Sequence, residues 1–289
     1  MAEARPNVHR RRFGSALRSL RMVAGLTMEE AAASLGLSGK PALSKIENGK
    51  QRVSGLGLTA FFQIYGVESE ETRTKVKAMA ALAASGKRTN LLDEYKDAVR
   101  EPFEDYLLLE GLATKAELFS LHVIPGLLQT REYATSIVER SKAWHSKRQV
   151  DRFVDLRMHR QAVLTREKPL NLWCILDEAV LRRVVGSPEA MRGQLESLLE
   201  TTEKHEHVGI QVLPFDAGAH AAPDGSFQLL GFQVGAPVVV AETMTISLYL
   251  EEDADVDRYQ TAFDDLRTHA LDPQQSRRLI QQLIKDNKT

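Results

Sequence analysis

Between Thr27 and Gly49 the sequence marks where one helix begins, where it ends and where the next begins. Thr27 suits an N-cap, and Glu30 three positions on can reach back to the Thr27 N–H, which completes a capping box. Met28, Ala31, Ala32 and Leu35 then recur at the spacing of one helical face. Gly36 ends that run, because glycine takes a positive φ at a helix C-terminus without strain. Leu37 turns inward, Ser38-Gly39 turns the chain, and Pro41 fits the first turn of a second helix, where its missing N–H has no partner to lose. The second helix keeps Leu43 and Ile46 inside, leaves Lys40, Ala42, Ser44, Lys45 and Asn48 outside, and is stopped by Gly49. At about two turns it cannot persist alone, so the spacing predicts a helix pair held by other helices.

Those helices are legible on either side. Phe13, Leu17, Leu20 and Ala24 give a face to a helix over 13–24, and Leu58, Phe61, Phe62 and Tyr65 to one over 56–65. Ser69 caps a fifth, with Val76, Met79, Ala80 and Ala83 inward. Residues 1–12 are polar and carry the charge run His9-Arg10-Arg11-Arg12, which reads either as an arm following a phosphate strand or as a solvated tail. The polar, aperiodic stretch 85–90 sets a boundary, giving an all-α five-helix domain over 1–85 and a second domain over 86–289.

Charge is divided between them unevenly. Residues 1–60 hold ten Lys and Arg against four Asp and Glu, and the remainder twenty-eight against thirty-five, although the whole chain is at −1. The basic end is the one suited to phosphate. The single cysteine, Cys174, excludes an internal disulfide and points to a reducing compartment; within the apolar run 172–176 it reads as a small buried hydrophobe. No stretch of about 18 apolar residues and no signal-peptide core is found, so a cytoplasmic protein, nucleoid-associated and without a membrane, is expected.

In the second domain helical patterns over 91–99 and 103–119 lead into HVIPGLLQTREYA, where Pro125-Gly126 turns the chain and Thr130 caps a helix to Ser141. A long amphipathic stretch over 146–166 places Val150, Phe153, Leu156 and Val163 on one face. From Pro169 the period changes to strands, over 170–176, 208–213, 226–232, 238–242 and 246–250. A helix capped by Ser187 between the first two predicts a parallel pair, and short turns among the last three predict an antiparallel meander. Helices over 255–271 and 273–285 complete an α+β domain with a mixed sheet covered by helices.

The stretch from Leu26 to Gly49, with the helix before it and IENGK at Ile46 to Lys50, resembles the helix-turn-helix of phage-repressor (XRE-type) regulators. The resemblance implies that the second helix enters the major groove of a double-stranded DNA operator. It implies base-reading roles for Lys40, Ser44 and Lys45, phosphate contacts for Thr27, Asn48, Lys50 and Arg52, and an internal ion pair between Arg21 and Glu47. Met28 stands where that family usually has Gln, and 38–44 is one residue longer than the common turn. Further on, IPGLLQTREYA, LDEAVLRR (Leu176 to Arg183), IQVLPF (Ile210 to Phe215), GAH (Gly218 to His220), GSF (Gly225 to Phe227) and the Glu242 strand are together similar to the C-terminal domain of the actinomycete WhiJ-like regulators. That resemblance implies an antitoxin-like arrangement with a small partner protein encoded nearby; a homodimer is expected because a regulator of this type gains affinity from two half-sites about one turn of DNA apart.

Polar groups able to do chemistry in the second domain are Glu110, Gln129, Tyr133, Asp177, Glu178, His220 and Glu242. Carboxylates near a histidine would form an acid–base set if they converged. No G-x-S-x-G, P-loop, G-x-G-x-x-G or H-E-x-x-H motif is present, so neither catalytic residues nor a cofactor are expected. His205-Glu206-His207 reads as dipole compensation at a helix end more readily than as a metal site. Gln129, Tyr133 and His220 are the candidates for partner or ligand binding, through the PGLLQT turn and the loop 214–225. Three readings stay open: a regulator whose second domain dimerises and receives a ligand or small protein, an antitoxin-like autorepressor, and an enzyme that the first domain only localises.

Overall fold

The computed structural model describes residues 8–85, 94–95, 101–141, 143–144, 146–243 and 246–286. The expected boundary at 86–90, most of the helix expected over 91–99 and residues 1–7 of the expected arm lie outside the described residues. Contacts divide the chain into Met1–Thr89 with Phe232–Ala236, and Asn90–Gly231 with Pro237–Thr289.

The first unit is built from α1 (Val8–Val23), α2 (Met28–Ser34), α3 (Lys40–Glu47), α4 (Gly55–Ile64) and α5 (Glu70–Ser85). Phe13, Leu17, Leu43, Ile46, Phe61 and Phe62 are the larger members of its core. Ser54 and Ser69 cap α4 and α5, their hydroxyls accepting the N–H groups of Gly57 and Thr72 at 3.1 and 3.2 Å. α1 begins at Val8, not near Phe13 as the apolar spacing predicts. This corrects both readings of the charge run: His9, Arg11 and Arg12 are buried in the first turns of a helix. Two glycines let that helix lie directly on the end of α3. A Cβ on Gly14 would stand 2.3 Å from the Glu47 carbonyl oxygen, and one on Gly49, at φ 69°, 2.7 Å from the Arg10 backbone. The Arg12 guanidinium donates to the carbonyls of Ala236 and Val234 at 2.6 and 3.2 Å and lies 3.5 Å from the centre of the Phe232 ring.

The second unit runs α6 (Glu101–Leu112), β1 (Lys115–Ser120), a 3-10 turn (Gly126–Leu128), α7 (Arg131–Arg140), α8 (Lys147–Arg160), β2 (Asn171–Asp177), α9 (Glu178–Arg182), α10 (Pro188–Lys204), β3 (Val208–Leu213), β4 (Phe227–Gly231), β5 (Val238–Glu242), β6 (Ser247–Leu250), α11 (Asp253–His269) and α12 (Pro273–Asp286). The strands form a mixed sheet in the order β3-β2-β1-β4-β5-β6. β2 and β3 pair in parallel across α9 and α10, and β4, β5 and β6 form the antiparallel meander. The helical pattern read over 103–119 is corrected: α6 ends at Leu112, and Lys115–Ser120 is an inner strand, parallel to β2 on one side and antiparallel to β4 on the other. Every residue of β1 after Lys115 is buried, and a strand covered on both faces shows none of the alternation by which strands are recognised.

One face of the sheet packs Phe119, Ile175, Phe227 and Val239 against Phe263 and Leu266 of α11. The free edge of β3 is covered, since the Val212 N–H donates to Ser276 Oγ and the Val212 carbonyl accepts from the Leu271 N–H, both at 2.9 Å. Cys174 is fully buried and burial pushes its thiol up, as expected of a residue used as a hydrophobe. None of the described helices is long and apolar enough to cross a membrane.

Candidate nucleic-acid interface and ligand cavity

The helix pair has the local geometry that its sequence encodes. Thr27 Oγ accepts the Glu30 N–H at 3.3 Å, and the Glu30 carboxylate receives the Thr27 N–H at 2.9 Å and its hydroxyl at 2.8 Å. Those bonds from Thr27, the backbone one foremost, hold the Glu30 carboxyl below the usual range. α2 ends at Leu35-Gly36, the Leu37 N–H closes on the Ala32 carbonyl at 2.9 Å, and α3 starts at Lys40 with Pro41 in its first turn.

Leu43, Ile46 and Glu47 of α3 are buried, whereas Lys40, Lys45, Asn48, Lys50 and Arg52 are exposed and Ser44 is half-buried. Lys40, Ser44 and Asn48 are spaced by four and stack in one row along the helix; Asn48 Nδ2 donates to Ser44 Oγ at 3.2 Å. Lys40 also lies 3.4 Å from Glu29 of α2, both ends exposed. Thr27 is exposed, but its hydroxyl is engaged in the capping box. Arg21 and Glu47 form a bidentate pair at 2.7 and 3.1 Å, and Arg21 also donates to the Leu26 carbonyl at 2.8 Å. The pair ties α1, the α1–α2 turn and α3 together. Glu47 hydrogen-bonding raises the Arg21 guanidinium, and burial next to Glu47 pushes the Tyr65 phenol up.

In the second unit the PGLLQT segment is organised by side-chain amides. Gln129 Nε2 donates to the Ile124 carbonyl at 2.6 Å, Gln161 to the Gln129 carbonyl at 2.7 Å, and Gln194 to the Leu128 carbonyl at 2.8 Å, while Gln194 Oε1 receives the Thr130 N–H at 2.7 Å. These bonds satisfy a non-repetitive backbone that is largely buried. The segment forms one wall of a cavity of about 910 Å³, within the size range of small-molecule sites. Residues from α6, β1 and the stretch after it, the α7–α8 loop, α8, the loop before β4, β4, β5 and the segment from there into β6 supply the remaining walls, with Phe103, Trp144, Phe153 and Phe227 among them.

Two arginines of α8 line this cavity. Arg160 meets both oxygens of Glu110, at 2.9 and 2.7 Å, and its guanidinium lies 5.0 and 4.9 Å from the rings of Phe103 and Tyr106. Burial opposes its charge, but Glu110 outweighs that and raises it. The Tyr106 hydroxyl is 2.5 Å from Glu110 and 3.1 Å from Gln228, and burial pushes it well up. Arg157 donates from Nη1 to Gln129 Oε1 at 2.8 Å; burial, then the Arg160 charge, bring it down to about 10. Glu242 is exposed by area. The walls nonetheless crowd its carboxyl, and that desolvation pushes it up.

The residues named from sequence divide accordingly. Gln129, Glu110 and Glu242 meet near Arg157 and Arg160, and the first and last of them line the cavity. Tyr133 and His220 are not among its lining residues. Tyr133 is fully buried, its hydroxyl accepting the Ile124 N–H at 3.1 Å, and His220 packs 5.4 Å from the Phe119 ring with Nδ1 accepting the Ala222 N–H at 3.2 Å. In this structure both side chains make contacts within the fold and stand outside the cavity. Asp177 caps α9 through the Ala179 N–H at 2.8 Å, and Glu178 accepts from Arg182 at 2.6 Å and the Phe215 N–H at 2.9 Å. His207 Nε2 lies 2.8 Å from the Leu164 carbonyl, and no His, Cys, Asp and Glu cluster able to hold a metal occurs among the described residues. The sequence reading missed Arg157, Arg160 and Tyr106. A signal existed: Phe153, Arg157 and Arg160 share a helix face, so charge interrupts the stripe assigned to the core.

Residues 12–75 match a helix-turn-helix domain family, and residues 103–282 match the family described as a domain of unknown function (DUF5753). No curated protein and no solved structure matches the chain. The first match makes the chain a DNA-binding regulator; the second spans more than half of it, and the chain belongs to the DUF5753 family.

Proposed function

We propose that the protein is a sequence-specific transcriptional regulator of the WhiJ-like, XRE-type kind, which binds a two-fold operator as a homodimer and whose second domain receives a small ligand or partner protein instead of catalysing a reaction. The observation that carries this reading is the exposed face of α3, where Lys40, Ser44 and Asn48 form one row beside Lys45, with Lys50 and Arg52 following. Lys40, Ser44 and Lys45 read base edges, and Asn48, Lys50 and Arg52 hold phosphates. Thr27 contributes less than the resemblance implies, because its hydroxyl already serves Glu30. In the second domain, Glu110 is held by Arg160 and Tyr106 and the one thiol is buried, which favours binding over chemistry.

Selection of bound fragments from a random DNA library by the full-length protein tests the reading. The expected result is a palindromic motif whose half-sites lie about one helical turn, 10–10.5 base pairs, apart. A pool with no enriched motif would overturn sequence-specific recognition.

A further inference from the structure

Arg160 and Arg157 lie one turn apart on α8 and face the same cavity, but their charges are met unequally. Arg160 has a carboxylate on two of its nitrogens. Arg157 has the neutral amide of Gln129 on Nη1, and its buried Nε has no hydrogen-bond partner among the described residues. A guanidinium that lines a cavity and has one neutral acceptor keeps its charge and N–H donors for a carboxylate. Beside it stands an aromatic surface. The Arg157 guanidinium is 5.3 Å from the Phe153 ring, which is 4.8 Å from Trp144 and 5.7 Å from Phe103.

We propose that this cavity binds an organic carboxylate with an aromatic or aliphatic body, the carboxylate on the Arg157 guanidinium and the body on the Phe103–Phe153–Trp144 wall. This deepens, and rests on, the reading of the second domain as a receiving domain. The charges around the site agree with it. Glu110 is committed to Arg160, which leaves Glu242, on the cavity lining, as the carboxylate with which a bound acid competes. A bound carboxylate gives Arg157 the directly hydrogen-bonded counter-charge that Gln129 does not provide, and covers apolar wall that water otherwise wets.

Calorimetry on the full-length protein with naphthylacetate, naphthylacetamide and naphthylethylamine reads the preference directly. The acid is expected to bind about tenfold more tightly than the amide, as a charge-assisted pair gives, and the amine more weakly than either. Arg157→Met should remove the difference between acid and amide while both still bind, with thermal melting confirming that the variant folds. Glu242→Gln, which removes a negative charge near the site and leaves Arg157 in place, should tighten the acid and leave the amide unchanged. The proposal is overturned if none of the three binds, if amide or amine equals the acid, or if the preference survives Arg157→Met. Should Arg157→Met fail to fold, the Glu242→Gln comparison decides: an unchanged or weakened acid overturns the proposal. Operator affinity measured with and without naphthylacetate tests the underlying reading separately, since an acid-selective cavity that leaves DNA binding unaltered would contradict a ligand-receiving regulator and not the carboxylate site.

Discussion

Lys45 and Glu47 are two positions apart on α3, and the helix sends one outward and the other into the core. Replacing Lys45 by Ala should cost about 1–3 kcal/mol at the selected operator and little on random DNA. Titration of both DNAs by fluorescence anisotropy checks it, and equal losses would reduce Lys45 to a phosphate contact. Glu47 is a different case, because its partner Arg21 is buried with it. Removing one member of such a pair strands the other, so Glu47→Ala should lower stability by about 3–5 kcal/mol. Urea unfolding of the full-length protein measures this; a variant as stable as the parent would show that water replaces the carboxylate. The Arg21–Glu47 pairing came from family resemblance, since nothing in the spacing of residues 26 positions apart announces a contact.

At the scale of elements, what could be read depended on whether a local rule was at work. The capping box at Thr27, the glycine after α2 and the Ser69 cap are local, and the helices begin and end where those residues place them. β1 obeys no local rule: its partners β2 and β4 are distant in sequence, and its two-sided burial erases the alternation. The start of α1 was hidden for the opposite reason, because three arginines in a row look solvated until Gly14 and Gly49 bring α3 against them. The cavity is likewise assembled from segments far apart in the sequence; the PGLLQT turn, the loop 214–225 and Glu242 drew notice separately, and nothing local showed that they share one space. The α1–α3 contact is open to test. Gly49→Ala adds a Cβ both at a positive φ and against the Arg10 backbone. It should destabilise the protein by about 1–3 kcal/mol and weaken operator binding through displacement of α3; thermal melting and anisotropy on the same variant would show whether the two losses come together.

For the whole molecule, the proposed two-fold dimer imposes a distance. If two copies present α3 to successive turns of one duplex face, inserting about five base pairs between the half-sites rotates one of them to the far side. Affinity should then fall to that of a single half-site and recover with an insertion of a full turn, as gel shifts with spaced operators would record. Indifference to spacing would mean that the copies bind independently. The contacts of Arg12 have another consequence, one of timing. Its two carbonyl partners lie 224 and 222 residues further along the chain. A ribosome adding about 5–20 residues per second needs on the order of 10–45 s to deliver them. During that interval the nascent helical domain is out of the tunnel with the Arg12 guanidinium lacking those acceptors, and a messenger cut short before codon 232 would encode a helix-turn-helix that never acquires them.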